Sequence, residues 1–102
     1  MLTFNLKKEW FEKIKSGEKT HEYREIKPYW QKRISKKTLI HGTDFKIRFV
    51  KGYSNKSEDI LYAQCKNIGY KWGEETDLKI SADVYDIEFK LISECEGNDE
   101  QL

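Results

Sequence analysis

Apolar residues recur along the chain with two distinct periods, and the switches between them divide it into elements. Leu2, Phe4 and Leu6 alternate with Thr3 and Asn5, the period of a strand with one buried face. Over 7–16 the period lengthens: Trp10, Phe11 and Ile14 share a stripe while Lys8, Glu9, Glu12, Lys13 and Lys15 fill the remainder, as in a surface helix. Gly17 supplies the left-handed residue that ends such a helix. Residues 20–26 read as a strand. Pro28 suits the first turn of a short second helix over 29–34. Its Trp30 and Ile34, four apart, pack inward and leave Tyr29, Lys32 and Arg33 outward. A polar turn is expected over 36–42.

Phe45, Ile47 and Phe49 then alternate with Lys46, Arg48 and Val50 in a clear strand, and 52–59 turns the chain. Residues 60–70 are strand-like. Over 83–91, Tyr85, Ile87, Phe89 and Leu91 alternate with Asp86, Glu88 and Lys90. Residues 71–82 show neither period and receive no assignment. Several strands with two short helices inserted early predict an α+β fold: a small curled sheet or barrel of about five to six strands with the helices plugging its side. One domain is expected over 1–92, followed by a loose acidic tail over 93–102.

Composition narrows the class. At 102 residues, 37% hydrophobic and 36% charged, the chain suits one modest core, to which its fourteen aromatic residues contribute much. No window approaches the roughly 18 apolar residues that span a bilayer, and the amino terminus lacks the apolar run of a signal peptide. A cytoplasmic protein is expected. Cys65 and Cys95, thirty residues apart, read as free thiols, because no close-spaced ligand or disulfide pattern includes them. The net charge of +1 is sorted along the chain. Residues 1–57 carry 15 Lys/Arg against 6 Asp/Glu, and residues 58–102 carry 4 against 12. The first half therefore has the charge to attract phosphates, or the two halves neutralise each other across the fold.

The candidate chemistry lies just after the first helix stop. Strand alternation puts Glu22 and Arg24 on one face, about 6.6–6.8 Å apart, with His21 and Tyr23 on the other. Lys19 lies at the corner, where its flexible stem reaches the same spot. An arginine fork, a carboxylate acceptor and a point charge form an inventory for phosphates and base edges. The same three residues also make an ordinary exposed salt bridge of little energetic weight. Tyr23 and Trp30 are expected in the core, leaving Tyr29 as the stacking residue among Lys32 and Arg33. His21 is expected in the core with one hydrogen-bond partner, and His41 in a turn. Neither histidine has ligand spacing to a Cys, Asp or His, so no metal and no cofactor are expected.

Gly17, Lys19, Glu22 and Arg24 match the Gly-x-Lys-x-x-Glu-x-Arg signature of ASCH domains. The preceding strand and amphipathic helix, the aromatic and basic segment after the signature, and the closing strand resemble that family over nearly the whole chain. The resemblance implies a PUA-like β-barrel that binds RNA or another nucleic acid or nucleotide in a cleft beside the barrel. Lys19 and Arg24 would hold phosphate or base edge, Glu22 would orient Arg24, and Tyr29, Lys32 and Arg33 would form the rim. Some small ASCH proteins resemble amidohydrolases acting on acylated cytidine through a lysine, a threonine and a glutamate, and ribonuclease activity is attributed to others. Lys19 matches that lysine, but Glu22 occupies the threonine position. Thr20 lies too far along the strand to replace it. Any catalysis would then rest on Lys19 and Glu22, with Glu22 as general base. A third class is a protein-interaction module whose acidic half docks a basic partner.

Overall fold

The computed structural model describes residues 1–93. Its elements run β1 (Leu2–Leu6), α1 (Lys8–Lys15), β2 (His21–Glu25), α2 (Pro28–His41), β3 (Lys46–Lys51), β4 (Ile60–Trp72) and β5 (Asp83–Ile92), with single 3₁₀ turns at Ser57–Asp59 and Gly73–Glu75. The five strands form one mixed sheet in the order β1-β3-β4-β5-β2. β1 runs parallel to β3, and every other pairing is antiparallel. The sheet curls into a half-barrel around Phe4, Phe11, Ile14, Ile47, Phe49 and Ile87, all fully buried. Each large apolar side chain removed from water there contributes about 1.5–3 kcal/mol.

Curling brings together the two strands that the order places farthest apart. β1 and β2 are the sheet's open edges, yet Arg24 of β2 donates through Nη2 to the Asn5 carbonyl of β1, at 3.3 Å. The guanidinium carbon also lies 4.8 Å from the centre of the Phe4 ring. The half-barrel therefore has a seam, and a side chain rather than a strand ladder spans it.

Two expectations are corrected. The second helix does not stop at 34 but continues to His41, ending at Gly42 in the left-handed region (φ +63°), whose N–H returns to the Thr38 carbonyl at 2.8 Å. The polar stretch read as a turn is thus the helix's outer half, which follows Ile34, the helix's one fully buried residue, and leaves Leu39 and Ile40 exposed. His41 lies in the helix's last turn. The faces of β2 are also reversed. Glu22 and Arg24 pair across from Ile87 and Tyr85, both buried, whereas His21 and Tyr23 pair across from Glu88 and Asp86 on the outer face. Alternation fixed which residues share a face, but not which face meets the core. His21 keeps its single expected partner, Asp86 Oδ1 at 2.6 Å, on that outer face. Cys65 is a free, buried thiol. Cys95 and the acidic residues 94–102 lie outside the described residues. No helix among the described residues is long and apolar enough to cross a membrane.

Candidate functional site

The site begins with the end of α1. Gly17 takes φ +87°, its N–H closes on the Ile14 carbonyl, and the Lys19 N–H closes on the Lys13 carbonyl, both at 3.0 Å. This double closure turns the chain sharply and starts β2 with Lys19 facing the seam. Its side chain is only 10% exposed. Three residues later, Glu22 of β2 is 5% exposed, so the trio is a buried cluster and not the exposed salt bridge that its residue types also allow.

The geometry is tightly coupled. Arg24 grips Glu22 Oε2 with Nε at 2.8 Å and Nη2 at 2.7 Å. Lys19 Nζ sits 3.7 Å from Glu22 Oε1 and donates to Asp77 Oδ2 at 2.5 Å. Two cations thus meet two carboxylates, and the formal charge of the cluster is zero. Burial pushes the Glu22 carboxyl above its ordinary value; Arg24 and Lys19 act against the rise, and Asp77 adds to it. Aromatic faces complete the surroundings. Lys19 Nζ lies 4.9 Å from the Tyr23 ring centre and 5.5 Å from that of Trp10, and the Arg24 guanidinium carbon lies 5.1 Å from that of Trp30.

Asp77 reaches the cluster from the segment that showed no period. The 3₁₀ turn at Gly73–Glu75 starts a loop that closes on itself, with the Gly73 N–H on the Ala82 carbonyl at 2.7 Å. Thr76, almost fully buried, donates through Oγ1 to the Gly73 carbonyl at 2.8 Å and accepts from the Leu78 N–H at 3.1 Å. Asp77 lies between these tied residues and is aimed at Lys19.

Above the cluster opens a cleft of about 430 Å³, with Glu22 and Arg24 on its floor, Trp10, Tyr23 and Trp30 in its walls, and Asp77 at its margin. It runs between the open edges of β1 and β2. The cleft therefore combines aromatic surface, a neutral ionic floor and strand-edge backbone groups.

Of the residues singled out in the sequence, Lys19, Glu22 and Arg24 come together around the turn that Gly17 makes. Tyr29 and Arg33 instead line a second depression of about 370 Å³ between α2 and the start of β1, and Lys32, exposed, lines neither. Trp10 and Asp77 were missed. Trp10 lies at the edge of its helical stripe, half-buried where Phe11 and Ile14 are fully buried. No local pattern announces Asp77, which meets Lys19 across 58 residues of chain. No group of three or more His, Cys, Asp or Glu among the described residues is placed to hold a metal ion. No family model, curated protein or solved structure matches the chain.

Proposed function

We propose that the chain is a recognition module for single-stranded nucleic acid, of the ASCH and PUA-like kind that its Gly17, Lys19, Glu22 and Arg24 resemble. The observation that supports this reading is the charge-balanced Lys19–Glu22–Arg24–Asp77 cluster at the floor of a cleft walled by Trp10, Tyr23 and Trp30. A phosphate needs uncompensated cations, and here both cations are already matched. A nucleobase needs flat apolar faces and a mixed set of donors and acceptors. The aromatic walls offer the first, and the charged floor with the two strand edges offers the second. The cleft therefore accepts an unstacked base, and the phosphate chain stays outside.

A hydrolytic reading has one observation in its favour, the raised pKa of Glu22 beside Lys19. Against it, both carboxylate oxygens are held by cations, leaving little room for a reacting proton. One experiment separates the two. The protein is titrated with a short fluorescent single-stranded RNA, alongside Lys19→Gln and Glu22→Gln variants checked for folding by circular dichroism, and the RNA is examined after incubation. Binding that falls tenfold or more in both variants, with the RNA intact, supports recognition. Cleavage abolished by Glu22→Gln replaces that reading with a nuclease, and a wild type that binds neither RNA nor single nucleosides ends it.

A further inference from the structure

The neutral floor of the seam cleft raises the question of where a nucleic acid's phosphates would be matched, and α2 answers it. Its fourteen residues include Lys32, Arg33, Lys36 and Lys37 and no Asp or Glu. A merely solvated helix face interleaves acidic residues four positions from its lysines, because such pairs stabilise the helix. Here the spacing repeats like charges, Lys32 with Lys36 and Arg33 with Lys37, an arrangement that opposes helix formation. No ion pair among the described residues involves Lys32 or Lys36.

The geometry gives this charge a direction. Tyr29, Arg33, Lys36 and Ile40, spaced i, i+4, i+7 and i+11, form one stripe along α2 and line the second depression with Met1, Leu2 and Thr3 of the β1 end. The seam cleft is lined by Asn5 and Leu6 of the same strand. The two hollows thus follow β1 end to end, and they meet at Tyr29 and Trp30, whose rings pack edge to face with centres 4.8 Å apart. At Tyr29 the Arg33 guanidinium carbon lies 3.5 Å from the ring centre, and Arg33 Nη1 donates to the Tyr29 carbonyl at 3.2 Å. Tyr29 stays 56% exposed beside this ready-made stack, and the guanidinium keeps further N–H groups for a phosphate. From Tyr29 to Ile40 the stripe extends for about 16 Å.

We infer that the α2 stripe is the phosphate track for a single-stranded nucleic acid whose unstacked base occupies the seam cleft. The inference rests on the seam reading and adds the ligand's form: an oligonucleotide rather than a free nucleoside. Charge complementarity selects the occupant, since a helix with four Lys and Arg and no Asp or Glu in its own sequence, carrying an aromatic stack, matches a chain that alternates phosphates with bases.

The test compares wild type with an Arg33→Gln, Lys36→Gln double variant. One probe is a fluorescent mixed-sequence octaribonucleotide titrated across a salt series, and the other is single nucleosides followed by tryptophan fluorescence. The double variant is expected to bind the octamer about tenfold more weakly, with a salt slope lower by about 0.7 for each phosphate contact removed. Nucleoside binding in the seam should be unchanged. Unchanged octamer affinity and slope in the double variant overturn the track, and the seam reading then still stands if Lys19→Gln weakens both probes. Octamer and nucleoside binding that is indifferent to Lys19→Gln ends the seam reading instead. Double-variant-sensitive capture by phosphatidylserine vesicles, with no octamer binding by the wild type, overturns the track in favour of a membrane surface.

Discussion

Removing Arg24 would leave a carboxylate behind with much of its compensation gone. Glu22 is almost fully buried and takes two of its three close contacts from the guanidinium, and breaking a buried pair from one side costs about 3–5 kcal/mol. Arg24→Met should therefore destabilise the fold by about 3 kcal/mol in urea titration. Adding Glu22→Gln removes the stranded charge, so the double variant should be the more stable of the two. A double variant no better than Arg24→Met alone would show that the arginine acts through its contacts to Phe4 and Asn5. The acidity of Glu22 gives a second prediction. Its folded-state value lies above the ordinary 4.5, with burial the largest cause. The folded chain thus holds that proton more tightly than the unfolded one, and the resulting stability is complete below about pH 4.5 and lost as pH rises through the folded value. Urea midpoints should show wild type losing ground to Glu22→Gln as pH is raised from 4.5 toward neutrality. A difference that is flat with pH would mean that the cations hold Glu22 at its ordinary value.

Among the elements, the loop after β4 has the least margin for change. A Cβ on Gly73 would fall within van der Waals distance of the Ile80 and Ala82 carbonyl oxygens, backbone atoms that cannot swing aside. Gly73→Ala should therefore force the loop open at a cost of about 1–3 kcal/mol and withdraw Asp77 from Lys19. The observable is loss of hydrogen-exchange protection at the Gly73 amide, together with weaker ligand binding than in wild type. That loop also shows where sequence reading stops. Strands such as β3 and β5 were legible because each buries one face, so burial writes itself as alternation. The helix stop at Gly17 was legible because a left-handed turn needs that residue. Asp77 was not, because its position depends on a loop closed by the Thr76 hydroxyl and by backbone bonds, none of which imposes a period. The outer half of α2 was illegible for the opposite reason: only Ile34 is buried, so too little of the helix packs to mark its length. The cluster of Lys19, Glu22 and Arg24 could be read from spacing, while its burial could not, since one curled edge strand decides which face meets the core.

For the molecule as a whole, the question is whether the seam opens by itself or only with the rest of the barrel. Cys65 can report the difference. It lies on the core face of β4, in the middle of the strand order, with its N–H on the Phe45 carbonyl at 3.0 Å and Phe89 as its β5 partner. It is 3% exposed, and burial pushes its thiol up to about 11, so the folded protein offers a reagent almost no thiolate. In a Cys95→Ser background, iodoacetamide at pH 8 should therefore label Cys65 only through global opening, with protection of about a thousandfold or more for a domain of ordinary stability, ~5 kcal/mol. The seam enters through Arg24, which joins β2 to β1 across the gap between the sheet's two edges. If that clasp and the centre belong to one cooperative unit, the loss of ~3 kcal/mol expected for Arg24→Met should speed Cys65 labelling by about a hundredfold, at ~1.36 kcal/mol per factor of ten. If instead the edges part independently, labelling should keep its wild-type rate while the β2 amides lose protection. The second outcome would make the cleft a locally adjustable groove on a rigid half-barrel. The first would make every ligand contact to the seam a contribution to the stability of the whole fold.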